Sequence, residues 1–366
     1  MKRVAIIMAG GAGERFWPLS RQSYPKQLLR IAGSRSMLSA AVERIQPLVA
    51  PADTYVITGR ALKPAIEQEA GNLPPENVIA EPEGRNTSAC LALASAYLDY
   101  RYDGEDVVTV VMTADHYIQD VHAFIRDCAA AIAHASSHDA LVTFGIRPTR
   151  PETGYGYIEL GESSPDDQAV RSVAAFREKP NPATANEFLE SGRFLWNSGI
   201  FVWRNSVLRE AFRQALPAAH EQIDPMRRAL AAPNEQDALA RVFLAMPRIS
   251  IDYGVLEKVS NVAVVTASFD WDDIGNWGSL ARLLEPDAAG NATFGNTLLP
   301  GSHNCIVYST AADGHDTREP VVVGLNLKDT IIVRVRDAVL VLPAGSAQNV
   351  RDVVNLLREK GMTEYL

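Results

Sequence analysis

Short apolar runs alternate with amphipathic stretches along most of the chain. "VAII" at residues 4–7, "TYVIT" from Thr54, "VVTVVM" from Val107 and "ALVTFG" from Ala140 are continuous apolar or β-branched runs, the pattern of strands buried on both faces of a sheet. Between the first two, "SMLSAAVERIQPLV" puts Met37, Leu38, Ala41, Val42 and Ile45 on one helical stripe. The alternation over residues 4 to about 285 predicts an α/β fold, a Rossmann-like mixed, mostly parallel sheet with helices on both faces. Ligand residues are then expected in the loops at the strand ends. "NTSACLALASAYLDY" reads as a helix capped by Asn86 or Thr87, so "EPEGRNT" is a loop feeding a helix N-terminus, a candidate anion or nucleotide contact. After residue 285 the texture changes. "EPDAAGNATFGN" is polar and glycine-bearing, and "CIVYS" and "PVVVGLNLKDTIIVRVRDAVLVLP" are short β-rich runs broken by turn residues. The expectation is a domain of residues 1–285 and a small C-terminal β domain of residues 286–366, closed by a helix at "NVRDVVNLLREKG".

With 366 residues, 47% hydrophobic and 22% charged, the chain has room for one large domain or two. The opening apolar stretch is too short for a membrane span and meets glycines rather than a cleavage site, which predicts a cytoplasmic protein. Cys90, Cys128 and Cys305 lie far apart, against a disulfide framework or a zinc site. The net charge of −9 disfavours nucleic-acid and anionic-membrane partners. Any anionic ligand must therefore be held by a locally positive pocket.

"MAGGAGERFWPLSRQSYPKQLL", residues 8–29, is the strongest candidate for such a pocket. Glycines after a strand let the backbone approach a ligand, and their N–H groups make an anion-binding concavity. The loop is neither a dinucleotide fingerprint, since Gly11 and Gly13 are followed by Phe16, nor a P-loop, since no Gly-Lys-Ser/Thr ending exists. Asp115, after "VVTVVM", reads as a turn-former or as a metal or hydrogen-bond group. Asp272 and Asp273, after "SFDW", read as a strand end, either a surface turn or a partner of Asp115 for Mg²⁺. His116 is a base, a ligand or a local hydrogen-bond partner, and Lys179 is a solvated charge or a point charge on a phosphate.

Eight motifs, "AGGAGERFWPLSRQSYPKQLL", "EPEGRNT", "TADHYI", "GYGYI", "FREKP", "WNSGIFVW", "SIDYGVLEK" and "FDWDDIGNW", together resemble the mannose-1-phosphate guanylyltransferases within the sugar-1-phosphate nucleotidyltransferases, in the family's order over about residues 4–280. The resemblance implies attack of mannose 1-phosphate on the α-phosphorus of GTP, giving GDP-mannose and pyrophosphate. It implies catalytic roles for Arg15 and Lys26, and nucleotide binding by Ala9, Gly10, Gly11, Ala12, Gly13, Glu81, Arg85 and Asn86. Sugar phosphate binding falls to Gly156, Glu178, Lys179 and Asn197, and Mg²⁺ to Asp115 and Asp273. The tail resembles a β-helix-like domain of single-function relatives, with support of a homodimer as its implied role. Many relatives carry a further C-terminal isomerase domain of cupin type, and this chain is expected to stop short of one. The family often has Ser in place of Ala12, Thr in place of Glu14 and Pro in place of Thr113. Losing the hydroxyl at Ala12 leaves that loop its backbone role. Two rivals are a nucleotidyltransferase for another hexose 1-phosphate and a non-catalytic sugar-nucleotide-binding subunit, whose mark would be loss of Lys26, Asp115 or Asp273; all three are present.

Overall fold

The structure, a computed structural model, describes residues 1–11, 13–31, 33–163, 169–310 and 320–366, with Ser163 and Glu178 described by their backbone alone. The chain divides into two compact units, each built from separated segments. The first comprises Met1–Gly10, Leu38–Ala114 and Ile118–Trp271, and the second Gly11–Met37, Asp115–Tyr117 and Asp272–Leu366.

The first unit is organised on nine strands: β1 (Lys2–Met8), β2 (Thr54–Gly59), β3 (Val78–Glu81), β4 (Val107–Thr113), β5 (Leu141–Ile146), β6 (Gly156–Ser163), β7 (Val170–Glu178), β8 (Phe194–Arg204) and β9 (Val262–Thr266). They form one sheet in the order β3-β2-β1-β4-β8-β5-β9-β7-β6, with β6 also paired to β8. β3, β2, β1 and β4 run parallel, as does the β5–β9 pair, whereas β8 is antiparallel to both β4 and β5. The sheet is mixed α/β as expected, but not mostly parallel: among the described residues four pairings are parallel and five antiparallel, because β7 and β8 run against the other strands. Val4, Ala5, Ile6 and Ile7 are all fully buried, so β1 is covered on both faces, which is why its run shows no alternation. Val4 and Ile6 share a core with the helix Asn86–Arg101 and with Phe201 and Trp203 of β8. The parallel strands end together, with Met8 level with Thr113 and Gly59 level with Glu81. Among the described residues no helix is long and apolar enough to cross a membrane.

In the second unit β10 (Ala292–Phe294), β12 (Ile306–Ser309) and β14 (Thr330–Arg334) pair in parallel, as do β11 (Thr297–Leu298) and β13 (Val322–Val323). Short parallel strands recurring in chain order are the pairing of a coiled β domain, closed by the antiparallel β15 (Val339–Pro343) and the helix Val350–Glu359. "SFDW" is not a strand. β9 stops at Thr266, and Asp272 forms an isolated bridge with Tyr117.

Trp277 is the centre of this unit's core. It is fully buried, its ring lies 5.1 Å from that of Phe16 and 5.5 Å from that of Tyr308, and its Nε1 donates to the Trp17 carbonyl at 2.8 Å. The segment after the glycine turn is thus packed onto the C-terminal coils through one indole. Trp277→Ala is expected to cost about 3–5 kcal/mol of stability, and Trp277→Phe less, because a ring then still fills part of the cavity. Chemical denaturation of both variants measures this.

Candidate active site

The glycine turn leaves β1 at Ala9, whose N–H donates to the Ile57 carbonyl and whose carbonyl accepts from the Thr58 hydroxyl at 2.9 Å. Gly10 has open space where a side chain would project, and Gly11 takes a φ of +94°. Ala12 lies outside the described residues. Gly13 has a φ of +61°, and a Cβ there would fall 2.3 Å from the Cβ of Lys26. Only glycine meets both conditions. The Gly13 carbonyl accepts from the Phe16 N–H and the Ser20 hydroxyl, so the turn is closed on itself.

Lys26, buried at 6% exposure, is held from two sides within the second unit. Its Nζ donates to Asp115 Oδ2 at 2.8 Å and to the Asp273 main-chain carbonyl at 2.6 Å. Burial pushes the Asp115 carboxyl up, but attraction to Lys26, with His116 adding to it, more than offsets this and holds Asp115 below the usual carboxylate range. Gly275 allows the Asp273 carboxylate its position, since a Cβ there would lie 3.0 Å from Oδ2. Asp272 behaves differently. It is buried, accepts from the Ile274 N–H at 2.8 Å and pairs with Arg282 through both oxygens, so it is committed to structure. Gly13, Arg15, Lys26, Asp115, His116 and Asp273 all line one cavity of about 500 Å³. That cavity can hold a polyanion between cations while keeping carboxylates at hand for a cation.

A further contributor to this cavity escaped sequence reasoning: Arg351, from the C-terminal helix. Glu14 carries the signal that could have found it, an acidic residue where the family often has Thr. Its carboxylate pairs with Arg351 at 3.2 Å and also with Arg358.

The remaining expected site residues lie in the first unit, in two groups. Glu81 ends β3, with Arg85 and Asn86 just beyond. Arg85 pairs with Glu83 and donates to the Met246 carbonyl at 2.7 Å, and Asn86 takes a left-handed φ of 67° while its side chain accepts from the Thr87 N–H. The expected cap is thus a local Asx contact at Asn86, with the Thr87 hydroxyl accepting from Ile251 N–H. Glu81 is 7% exposed, and its Oε1 is buried without a hydrogen-bond partner. Burial pushes its carboxyl up to about 7, against a smaller lowering by the Cys90 thiol.

The second group lies on the β6–β7–β8 ladder. Gly156 is level with Glu178, whose side chain is outside the described residues, and Lys179, at a φ of 43°, donates its N–H to the Tyr155 carbonyl at 3.2 Å. Asn197 follows Trp196, which is level with Tyr157. Its amide donates to Asp252 at 2.7 Å and its carbonyl accepts from the Thr143 hydroxyl at 3.2 Å. Asp252 starts a π-helical turn, Asp252–Leu256. Its position within "SIDYGVLEK", one of the motifs that carry the family resemblance, was the available signal for this partner.

The nucleotidyl transferase family pattern matches residues 4–289. The xanthan biosynthesis protein XanB of Xanthomonas campestris pv. campestris is 36% identical over 364 residues, covering 98% of this chain and 74% of its own. The mannose-1-phosphate guanylyltransferase of Escherichia coli K12 is 34% identical over 371 residues, covering 100% of this chain and 75% of its own. A crystal structure from Thermus thermophilus, described as a mannose-1-phosphate geranyltransferase, is 37% identical with a TM-score of 0.85, covering 98% of this chain and all of its own.

Gly13→Ala is expected to displace Lys26 and reduce ligand binding in the cavity by at least about tenfold, since backbone strain at this turn alone costs about 1–2 kcal/mol; titration with inorganic tripolyphosphate measures it. Glu81 gives a pH signature. Its pKa is raised on folding, so its stabilisation is full below about 4.5 and is lost as pH rises through about 7. Melting temperatures between pH 4.5 and 8 should fall more steeply for the wild type than for Glu81→Gln, with the difference worth at most about 3 kcal/mol.

Proposed function

The chain belongs to the nucleotidyl transferase family, and from that premise we propose that it is a guanylyltransferase converting GTP and α-D-mannose 1-phosphate to GDP-mannose and pyrophosphate. The observation that carries this reading is the cavity in which Arg15, Lys26, Asp115 and Asp273 meet behind the Gly13 turn. Relatives named mannose-1-phosphate guanylyltransferase at about one-third identity over nearly the whole chain support the choice of base and sugar.

The nucleophile, a phosphate oxygen of the sugar phosphate, is already an anion, so no general base is required. Catalysis then consists of positioning two polyanions and offsetting their repulsion. The N–H groups of the glycine turn, with Arg15 and Lys26, bind the triphosphate. Lys26 cannot wander, because Asp115 and the Asp273 carbonyl fix its ammonium. Glu81, Arg85 and Asn86 serve the nucleotide, and Gly156, Glu178, Lys179 and Asn197 serve the sugar phosphate. Asn197 is pre-oriented by Thr143 and Asp252, which fixes its amide before any sugar hydroxyl arrives.

Asp115 and Asp273 fit a hard dication by the chemistry of their donors, two carboxylates on one cavity, the number Mg²⁺ takes before phosphate oxygens and waters complete its shell. Among the described residues no group of three or more such ligands converges. When bound, Mg²⁺ supplies neutralisation of charge on the triphosphate and its leaving group. The same reading takes the enzyme to be cytoplasmic, without nucleic-acid or membrane partners, and the expected C-terminal domain of residues 286–366 is part of the larger unit Gly11–Met37, Asp115–Tyr117 and Asp272–Leu366 rather than a domain by itself. Exposed Val323, Leu325, Val339 and Val341 in that domain support a homodimer.

The decisive assay is pyrophosphate release from GTP and mannose 1-phosphate with Mg²⁺, set against UTP and glucose 1-phosphate. Equal efficiency with the second pair would overturn the assignment. Lys26→Ala should lower kcat by about 10²-fold or more, as loss of a preorganised donor does. Lys179→Ala should instead raise the KM for mannose 1-phosphate more than that for GTP.

A further inference from the structure

Arg351 stands outside every motif that carries the family resemblance, yet its side chain lines the same cavity as Arg15 and Lys26. Its backbone is fixed, because Val350 beside it and Val354 one turn on are buried in the second unit's core. Its side chain is not buried, being 66% exposed. The ion pair with Glu14 runs from Nε to Oε2, while Arg358, two turns further along the same helix, takes Oε1. Glu14 is therefore held by two guanidinium groups where one would neutralise it.

The charge of the lining makes the second arginine significant. Glu14, Asp115 and Asp273 match Arg15, Lys26 and Arg351 one for one. Without Arg351 the lining would carry more carboxylates than cations and would repel a polyphosphate. Lys26 is also already engaged, by Asp115 and by the Asp273 carbonyl. A planar guanidinium on an exposed stem is suited to grip a phosphate bidentately.

We propose that Arg351 is a phosphate-binding residue of this cavity, exchanging Glu14 for the terminal phosphates of the triphosphate while Arg358 retains Glu14. The terminal phosphates are the natural target. Lys26, at 6% exposure, is deep in the cavity, where the reacting phosphate needs a fixed and desolvated neighbour, whereas Arg351 reaches in from an exposed rim. The identity of the polyphosphate as a nucleoside triphosphate rests on the guanylyltransferase reading; the binding of phosphate by Arg351 does not.

The test is calorimetric titration of the full chain with inorganic tripolyphosphate. Arg351→Ala should weaken binding about tenfold, the equivalent of one charge-assisted hydrogen bond, and Arg351→Lys should recover part of the loss. Melting temperatures should change little, because the side chain is 66% exposed and a surface ion pair contributes little stability. Glu14→Gln should tighten binding by removing the competitor for Arg351, and that gain should be clearly smaller when Arg351→Ala is combined with it, only the lining-charge part remaining. In steady-state assays Arg351→Ala should raise the KM for GTP and leave that for mannose 1-phosphate in place. Tripolyphosphate binding unaffected by Arg351→Ala would overturn the proposal, as would a Glu14→Gln gain of equal size with and without Arg351. Binding that depends on Arg351 in a protein that makes no GDP-mannose would uphold it and discard the guanylyltransferase reading instead.

Discussion

The ammonium of Lys26 is the constraint around which the site is arranged. A charge this deeply buried is costly unless it is paired and hydrogen-bonded, and here one carboxylate and one carbonyl meet that requirement. Meeting it ties together chain segments remote in sequence: the turn at Gly13, the short helix at Lys26, the loop at Asp115 and the loop at Asp273. Gly13 must lack a side chain because Lys26 occupies the space, and Asp115 stays ionised because Lys26 is beside it.

Holding four segments in register takes a core, and the second unit supplies it from the C-terminal coils. Phe16 and Trp17 pack with Trp277, Tyr308 and Val354, so the residues following the glycine turn share one apolar cluster with the terminal helix. The Trp17 indole and the Arg21 guanidinium both reach the Tyr365 carbonyl, and Arg21 also pairs with Asp337 at 2.8 Å. The coiled β domain thus does more than end the chain. It forms the wall against which the signature turn is pressed, which gives Arg351 its place in the cavity.

Local periodicity revealed what depends on local sequence. The strands at Val4, Thr54, Val107 and Leu141 were legible because burial on both faces leaves continuous apolar runs, and the helix Met37–Ile45 was legible from its stripe. β3 was not singled out, since "VIAE" is four residues long and ends in a carboxylate. Hydropathy also could not show that residues 11–37 join residues 272–366 in one unit, because that depends on contacts such as Phe16 with Trp277, more than two hundred positions apart. Lys26, Asp115 and Asp273 were legible as chemistry. Arg351 and Asp252 were not, since their meaning lies in the partners Glu14 and Asn197.

Glu81 and Asp115 show why residue type alone does not assign a role. Both are carboxylates at or just past the end of a parallel strand. Burial acts on both in the same direction, against the charged form. At Asp115 the Lys26 ammonium reverses it, leaving an anion at neutral pH that can serve a cation. At Glu81 no cation answers, one oxygen has no partner, and the carboxyl rises to about 7. Near neutral pH that group is divided between an acceptor and a proton donor. Its hydrogen-bonding role therefore changes with pH in the range where the Asp115 carboxylate stays charged, so the same functional group is set to different chemistry by whether a cation stands beside it.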